Sequence, residues 1–533
     1  MLRTRLLAGL AGPILLAFPT LAQRPPGGGG DPDPIPPTIV GQFPVVAVPR
    51  GNPLTPEKVL LGKALFFEEQ LSSDDTVACA TCHVLEAGGV DPRLAGRAPG
   101  SDGRLGTFDD ELGSPGVRRQ DALGRFEHDP VFGVERQVTG RSAPSVINAA
   151  FFNQQFWDSR AGPVFRDLDG NVVLGELASL ESQAVGPPLS AVEMAHAGRD
   201  WRALTAKLAR VRPLELASDL PVPLAQFVAG TSDYRALFER VFGSAEITRE
   251  RIAMAIASYE RTLVSDGSPF DLGTLTPRQQ LGLEAFLERG TCAQCHTAEN
   301  GLFTDGKMDN VHLPGHDRAV KNPGLRNLAP RPRFMSSGQF ASMAEVLQHY
   351  EDIGALTPLP GDLEALEDFL LGGLTDPRVV AGLPPFDRPT LFSERVPSGA
   401  NLYGASSPGS GGVHPRMLAD APPYLGNPEF QLGLGAARGA TLAALLVSPQ
   451  RAAPGAMLLG VPLAVDLASA HQKLLPVSRA GAGQGTATHR LALPSSTAAL
   501  GRRFHAQWIV LDPGAPRGLA ATRGAELELF ARP

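Results

Sequence analysis

Residues 77–86 read VACATCHVLE and residues 290–299 read GTCAQCHTAE. Both contain Cys-x-x-Cys-His: Cys79, Cys82 and His83 in the first, Cys292, Cys295 and His296 in the second. The chain has 533 residues and 4 cysteines, so the two copies use every thiol. On a helical turn, residues at i, i+3 and i+4 share one face, which lets two thiols bond the edge of a flat macrocycle while the imidazole rises to a metal at its centre. Two disulfides, or one zinc held by four thiolates, would also consume the cysteines. Neither explains a histidine directly after each pair. Cys-x-x-Cys-His is the attachment signature of c-type haem, with histidine as the proximal ligand. Two copies predict two covalently bound haems, with His83 and His296 on the irons.

The first residues, MLRTRLLAGLAGPILLAFPTLAQ, place Arg3 and Arg5 before an apolar run from about Leu6 to Phe18 and small residues around Ala22. That is the layout of a secretory signal peptide over 1–22, and the apolar run is too short for a good membrane span. A periplasmic or otherwise exported protein is expected, with no membrane span in the mature chain. Residues 23–45, rich in Pro and Gly, read as a flexible linker. The net charge of −7 is mild for this length, and acids and bases are interspersed, so neither nucleic acid nor an anionic membrane is an obvious partner.

Two stretches share one plan. Around the first motif, LTPEKVLLGKALFF places Thr55 as an N-cap and Pro56 at the first helical position; around the second, LTPRQQLGLEAF does the same with Thr276 and Pro277. EITRERIAMAIASYERTLV, residues 246–264, predicts an amphipathic helix with Ile252, Ala255, Ile256 and Tyr259 on one side. Two haem domains follow, 46–270 and 271–385, then a linker over 386–425. Residues 426–533 change character, with short apolar or alternating runs such as FQLGLG, LAALLV and FHAQWIVLD between Gly, Pro and Ser turns. They predict a β-sandwich-like domain in which His489, His505 and Trp508 are strand-face packing. The expected class is mainly α, two cytochrome c-like haem domains followed by an all-β domain.

Residues 46 to about 395 resemble the bacterial dihaem cytochrome c peroxidase family, including its MauG-like branch. The matching stretches are LGKALFFEEQLSSDDTVACATCH, APSVINAAFFNQQFWDSRAG, ESQAVGPPLSAVEM, IASYERTLV, CAQCHTAENGLFTD, NPGLRNL and MAEVLQHYEDIG, in the family's order. The resemblance implies an oxidoreductase, a peroxidase that reduces hydrogen peroxide at the first haem. Electrons would come through the second, from a small periplasmic donor such as a cytochrome c or a cupredoxin.

Splitting peroxide requires a proton to leave one oxygen and reach the other. By resemblance Glu193 in SAVEM is the distal acid and Gln183 in ESQAVGP the amide that positions peroxide. Trp157 in FWDSR is the conduit between the haems, and Arg326 in GLRN pairs with a haem propionate. Without the family match, Glu193 would read as a surface carboxylate and Trp157 as core.

The sixth ligand of the second iron has four candidates after His296: Met335, Met343, His349 and Tyr350. SSGQFASMAEVLQHYEDIG starts a helix with Ser342 and Glu345 in capping-box spacing, and Met343, Val346, Leu347 and Tyr350 share its apolar face. Tyr350 in HYEDIG matches the MauG-like tyrosine; Met335 and Met343 are the alternatives. A family histidine that caps the first iron has no counterpart, since His128 is out of place. The resemblance further implies a calcium ion between the haem domains, at a site where the family's asparagine is replaced by Ser142. The insertion AGPVFRDLDGNVVLGELASLES, residues 161–182, is expected to turn at DLDGN and to line the approach to the first haem. Alternatives to the peroxidase are MauG-like oxidation of a protein or organic substrate, and a non-catalytic dihaem electron carrier, which would need no distal acid.

Overall fold

The side chain of Thr55 accepts a hydrogen bond from the Lys58 N–H at 3.3 Å, and with Pro56 in the first turn it starts the helix Pro56–Phe66. The computed structural model describes residues 43–94, 96–357, 361–396 and 400–531. The signal peptide expected over 1–22, and all but the last residues of the 23–45 linker, lie outside them. Among the described residues no helix is long and apolar enough to cross a membrane.

Pro56–Phe66 lies against the helix Arg249–Glu260, and Leu61, Leu65, Phe66, Ile252, Ile256 and Tyr259 form the centre of the first core. Arg249–Glu260 is not amphipathic as expected. Ala253, Ala257, Ser258 and Glu260 are buried as well, because the helix runs through the middle of its domain. The two helices meet at Gly62, where an added Cβ would stand 1.9 Å from the Ala255 carbonyl oxygen.

The second domain repeats the device. A capping box of Thr276 and Gln279 starts the helix Pro277–Glu284, and a Cβ on Gly282 would stand 2.0 Å from the Ala365 carbonyl oxygen of the helix Leu363–Asp368. Its core is an edge-to-face cluster of Phe270, Phe286, Phe303 and Phe369. Gly62→Ala tests the crossing. Alanine gains up to about 1 kcal/mol in helix propensity, but a backbone carbonyl cannot step aside, so a net loss of about 1–3 kcal/mol from overpacking is expected. Chemical denaturation of the variant measures it, and a stabilised protein would show that the helices are not in contact there.

Where the chain enters and leaves the second domain, it is tied to itself. Asn327 accepts from Asp376 N–H at 3.0 Å and from the Ser265 hydroxyl at 3.3 Å, Asp376 accepts from Gly267 N–H at 3.1 Å, and Arg378 reaches Asp266 at 2.6 Å. Beyond this staple Val379, Phe386 and Leu391 return to the first core.

The C-terminal region is a pair of antiparallel sheets. One orders the strands His471–Val477, Thr441–Ser448, Arg503–Leu511, Gly524–Glu528 and Asn401–Tyr403, with Leu519–Ala521 beside Arg503–Leu511; the other orders Gly485–Arg490, Gln431–Ala437 and Arg416–Leu418. Trp508, Phe430, Leu432 and Leu445 are buried between them, and His505 is buried while His489 is half-buried. Two strands, Asn401–Tyr403 and Arg416–Leu418, fall inside the expected 386–425 linker. At three residues each, among Gly, Pro and Ser, they are too short to show alternation. Helix accounts for 26% and strand for 19% of the chain, so a mainly α chain is too strong a description. Glycine and proline, 59 and 49 of them, cut the helices short and leave long loops between them.

The β region is joined to the first domain through Phe126, Val134 and Leu418, and through Leu216, Phe392 and Tyr424. The 161–182 insertion forms a hairpin of Phe165–Arg166 and Val172–Leu174. Asp167 closes its turn by accepting from Asp169 and Asn171 N–H at 3.0 and 2.8 Å.

Candidate active site

Cys79–Cys82 is one helical turn, and His83 N–H donates to the Cys79 carbonyl at 3.1 Å. The His83 Nδ1 lies 3.2 Å from the Gly89 carbonyl and the His296 Nδ1 lies 3.0 Å from the Phe303 carbonyl. Each bond holds the ring through Nδ1, the contact usual for a histidine that ligates a metal through Nε2. Burial lowers the pKa of both imidazoles and keeps them neutral, as a ligand nitrogen must be.

The two motifs open into separate cavities. The first, about 460 Å³, is lined by Cys82, His83, Trp157, Gln183, Glu193 and Glu260. The second, about 400 Å³, is lined by Cys292, Cys295, His296, Met335, Met343 and Tyr350. No disulfide joins any two of the four cysteines. Among the described residues no three His, Cys, Asp or Glu side chains gather as a metal site.

Trp157 lines both cavities. Its indole N–H donates to the Ser142 carbonyl at 2.9 Å, and the Ser142 hydroxyl donates to the Met335 carbonyl at 2.8 Å. The segment that bears Ser142 therefore ties the wall of one cavity to the other.

Glu193 sits in the loop after Ser190, with its N–H on the Ser190 carbonyl at 3.1 Å. Burial pushes its carboxyl above the ordinary range, against the opposing pull of Ser190 and Arg160. Gln183 rides on the helix Ser179–Ala184. That helix is pinned by Glu181, which takes both ends of the Arg261 fork at 2.9 Å in the interior. Of the 161–182 insertion, only Leu180 reaches the cavity wall, so the rest does not line the approach as expected. His128 lies outside both linings.

Arg326 lines the second cavity, where its guanidinium is bound to both Asp271 oxygens at 2.6 Å, to Ser268 at 3.2 Å and to the Gly301 carbonyl at 2.5 Å. Arg331, Arg333 and Lys321 are further cations in the same cavity. Arg331 meets carbonyls of Asn327 and Arg326 at 3.1 and 2.8 Å, and Lys321 meets the Gln154 carbonyl at 2.8 Å. Arg333 Nε is buried with no partner among the described residues. Burial lowers Arg331 to about 10 and Lys321 to about 8, and buried cations without an acidic partner are costly. A propionate-bearing macrocycle would relieve that cost, so the residues present fit a haem in the second cavity.

Glu260 escaped the sequence reading. It is buried in the wall of the first cavity, and one carboxyl oxygen has no partner among the described residues. Burial raises it to about 8, against Arg261 and helped by Glu181, which makes it a proton-bearing acid at neutral pH. Its place in IASYERTLV, directly after Tyr259, was the available signal.

In the second cavity Met343 is 5% exposed within the apolar core, while Tyr350 is half-buried. Burial holds its phenol well above the usual range. Met335 adopts a left-handed backbone, φ 69°.

A family model described as di-haem cytochrome c peroxidase matches residues 56–275. The methylamine utilization protein MauG of Methylorubrum extorquens is 30% identical over 333 residues, covering 58% of this chain and 73% of that protein. A cytochrome c peroxidase of Escherichia coli is 30% identical over 326 residues, 56% of this chain and 54% of that one. Among solved structures, a MauG-like protein associated with microbial copper homeostasis aligns at a TM-score of 0.47 and 20% identity, over 66% of this chain and 97% of that one.

Proposed function

The chain belongs to the di-haem cytochrome c peroxidase family, and from that premise we propose that it reduces hydrogen peroxide in the cavity of His83, Gln183 and Glu193. Electrons enter through the cavity of His296. When bound, each haem iron supplies the redox chemistry, and the cysteine pairs, His83 and His296 are the residues that hold the two groups. The protein's part is to bind, orient and move protons. Overall, one hydrogen peroxide, two electrons and two protons give two waters.

Glu193 takes the proton from one peroxide oxygen and returns it to the other, a transfer for which a raised carboxyl pKa is suited. The Gln183 amide orients the substrate, and Glu260 holds a further proton in the same cavity. Arg331 and Lys321 neutralise the propionates at the second cavity. Trp157, in the wall common to both cavities, is the electron route between them. The donor is a small cytochrome c or cupredoxin, and the signal-peptide layout of residues 1–22 supports a reaction outside the cytoplasm.

One observation carries this reading: a raised carboxyl and an amide stand in one cavity, while the other is lined by candidate sixth ligands. Only the first is built to admit peroxide. Steady-state consumption of peroxide by the haem-loaded protein with a reduced c-type cytochrome is the direct test. A protein that exchanges electrons with the donor yet leaves peroxide untouched would be a carrier.

Tyr350 supports a second reading. A phenolate is a harder donor than a thioether, so it favours ferric iron and a low potential, as suits MauG-like oxidation of a protein or organic substrate. Tyr350→Phe is expected to convert the second haem from six- to five-coordinate, visible in electronic absorption and electron paramagnetic resonance. An unchanged spectrum with methionine ligation would assign Met335 or Met343 instead and favour the respiratory-type reaction.

A further inference from the structure

The antiparallel strands Pro115–Arg118 and Arg136–Val138 set Arg118 directly opposite Arg136. Like charges in that position repel. The counter-ion comes from the β region: Asp420, 6% exposed, lies 2.5 Å from Arg118 Nε and 3.8 Å from Arg136 Nη2. Arg136 then donates to the Gly116 carbonyl at 2.8 Å and to the Thr76 hydroxyl at 3.0 Å, just ahead of the first cysteine pair.

Gly116 completes the path. A Cβ there would stand 2.0 Å from the Val192 carbonyl oxygen and 2.7 Å from the Glu193 Cα, so its backbone lies flush against the backbone of Glu193. Beside it, the Gln137 side-chain amide donates to the Ala191 carbonyl at 2.6 Å. From Asp420 to Glu193 the contacts are continuous.

We propose that the β-sandwich is a brace for the peroxide cavity, with Asp420 as a positioning residue that holds Glu193 in place through Arg118, Arg136 and Gly116. This rests on Glu193 being the proton-transferring acid. A detachable partner-binding module would need only a tether, whereas this contact sets a buried carboxylate between two half-buried guanidiniums. Asp420 touches no substrate, and its effect passes through the backbone it supports.

The test uses the full chain with both haems. Asp420→Asn keeps the shape and removes the charge. Its kcat for peroxide is expected to fall about tenfold, since small misplacements of a reacting group carry costs of that order, with KM for the electron donor unchanged. In a Glu193→Gln background the same substitution should cost less than about twofold, because the residue it positions is gone. Gly116→Ala, which presses on residues 192–193 without touching the ion pairs, should give the same pattern. It carries the test alone if Asp420→Asn does not load both haems. Single-variant rates at the wild-type level overturn the brace, as does an equal loss in the Glu193→Gln background, which would mark general destabilisation. Glu193→Gln by itself tells the two readings apart: wild-type turnover there removes the acid and the brace together, whereas a crippled Glu193→Gln beside a normal Asp420→Asn removes only the brace.

Discussion

Glu193→Gln is expected to keep both haems and to slow peroxide turnover by about two orders of magnitude or more, the usual scale for losing a general acid or base. Glutamine preserves the shape of the side chain and its contact with the loop but cannot carry the proton. The loss should fall on kcat and on kcat/KM together, because proton transfer belongs to the transition state. Four other carboxyl or amide side chains line the cavity, Gln155, Asp158, Gln183 and Glu260. Glu260, raised to about 8 by burial, is the residue that could mask the effect. Glu193→Gln with wild-type kinetics and Glu260→Gln with the hundredfold loss would move the acid to Glu260.

The second large effect concerns attachment. Cys82→Ala and Cys295→Ala should each yield a protein with one haem fewer by mass spectrometry, and the two losses should differ in kind. Without the first haem, peroxide turnover disappears while the second keeps its spectrum. Without the second, the first cavity is intact but cut off from its donor, so peroxide can be consumed only as far as electrons already stored allow. A mature chain of unmodified mass, or one holding zinc, would end the dihaem reading. The two motifs line different cavities, which argues against a zinc site shared between them.

Much of the arrangement is written locally. The Thr-Pro starts at Thr55 and Thr276 and the Ser342/Glu345 box are contacts within one turn, and they fold where the spacing puts them. The Cys-x-x-Cys-His turns are equally local. Glu193, Gln183 and Trp157 could be placed only through the family motifs, since nothing within a few residues of each says that all three meet at one cavity. What stayed illegible depends on distant partners. Arg326 looks free in GLRN, and its pairing with Asp271 joins positions 55 apart. Glu260 lies off the apolar stripe of a helix that proves to be buried on almost every side. Asp420 answers a charge conflict 302 residues earlier in the chain, and no window of sequence contains both ends of that relation.

The staple formed by Asn327, Asp376 and Arg378 has a kinetic meaning. The second domain hangs from the first by two chain segments that are bonded to each other at their base, so it cannot swing out on one strand as a hinged lobe does. Electron tunnelling falls off steeply with separation, and a linkage pinned at two points keeps that separation from wandering. Transfer between the two centres then need not wait for a domain to close.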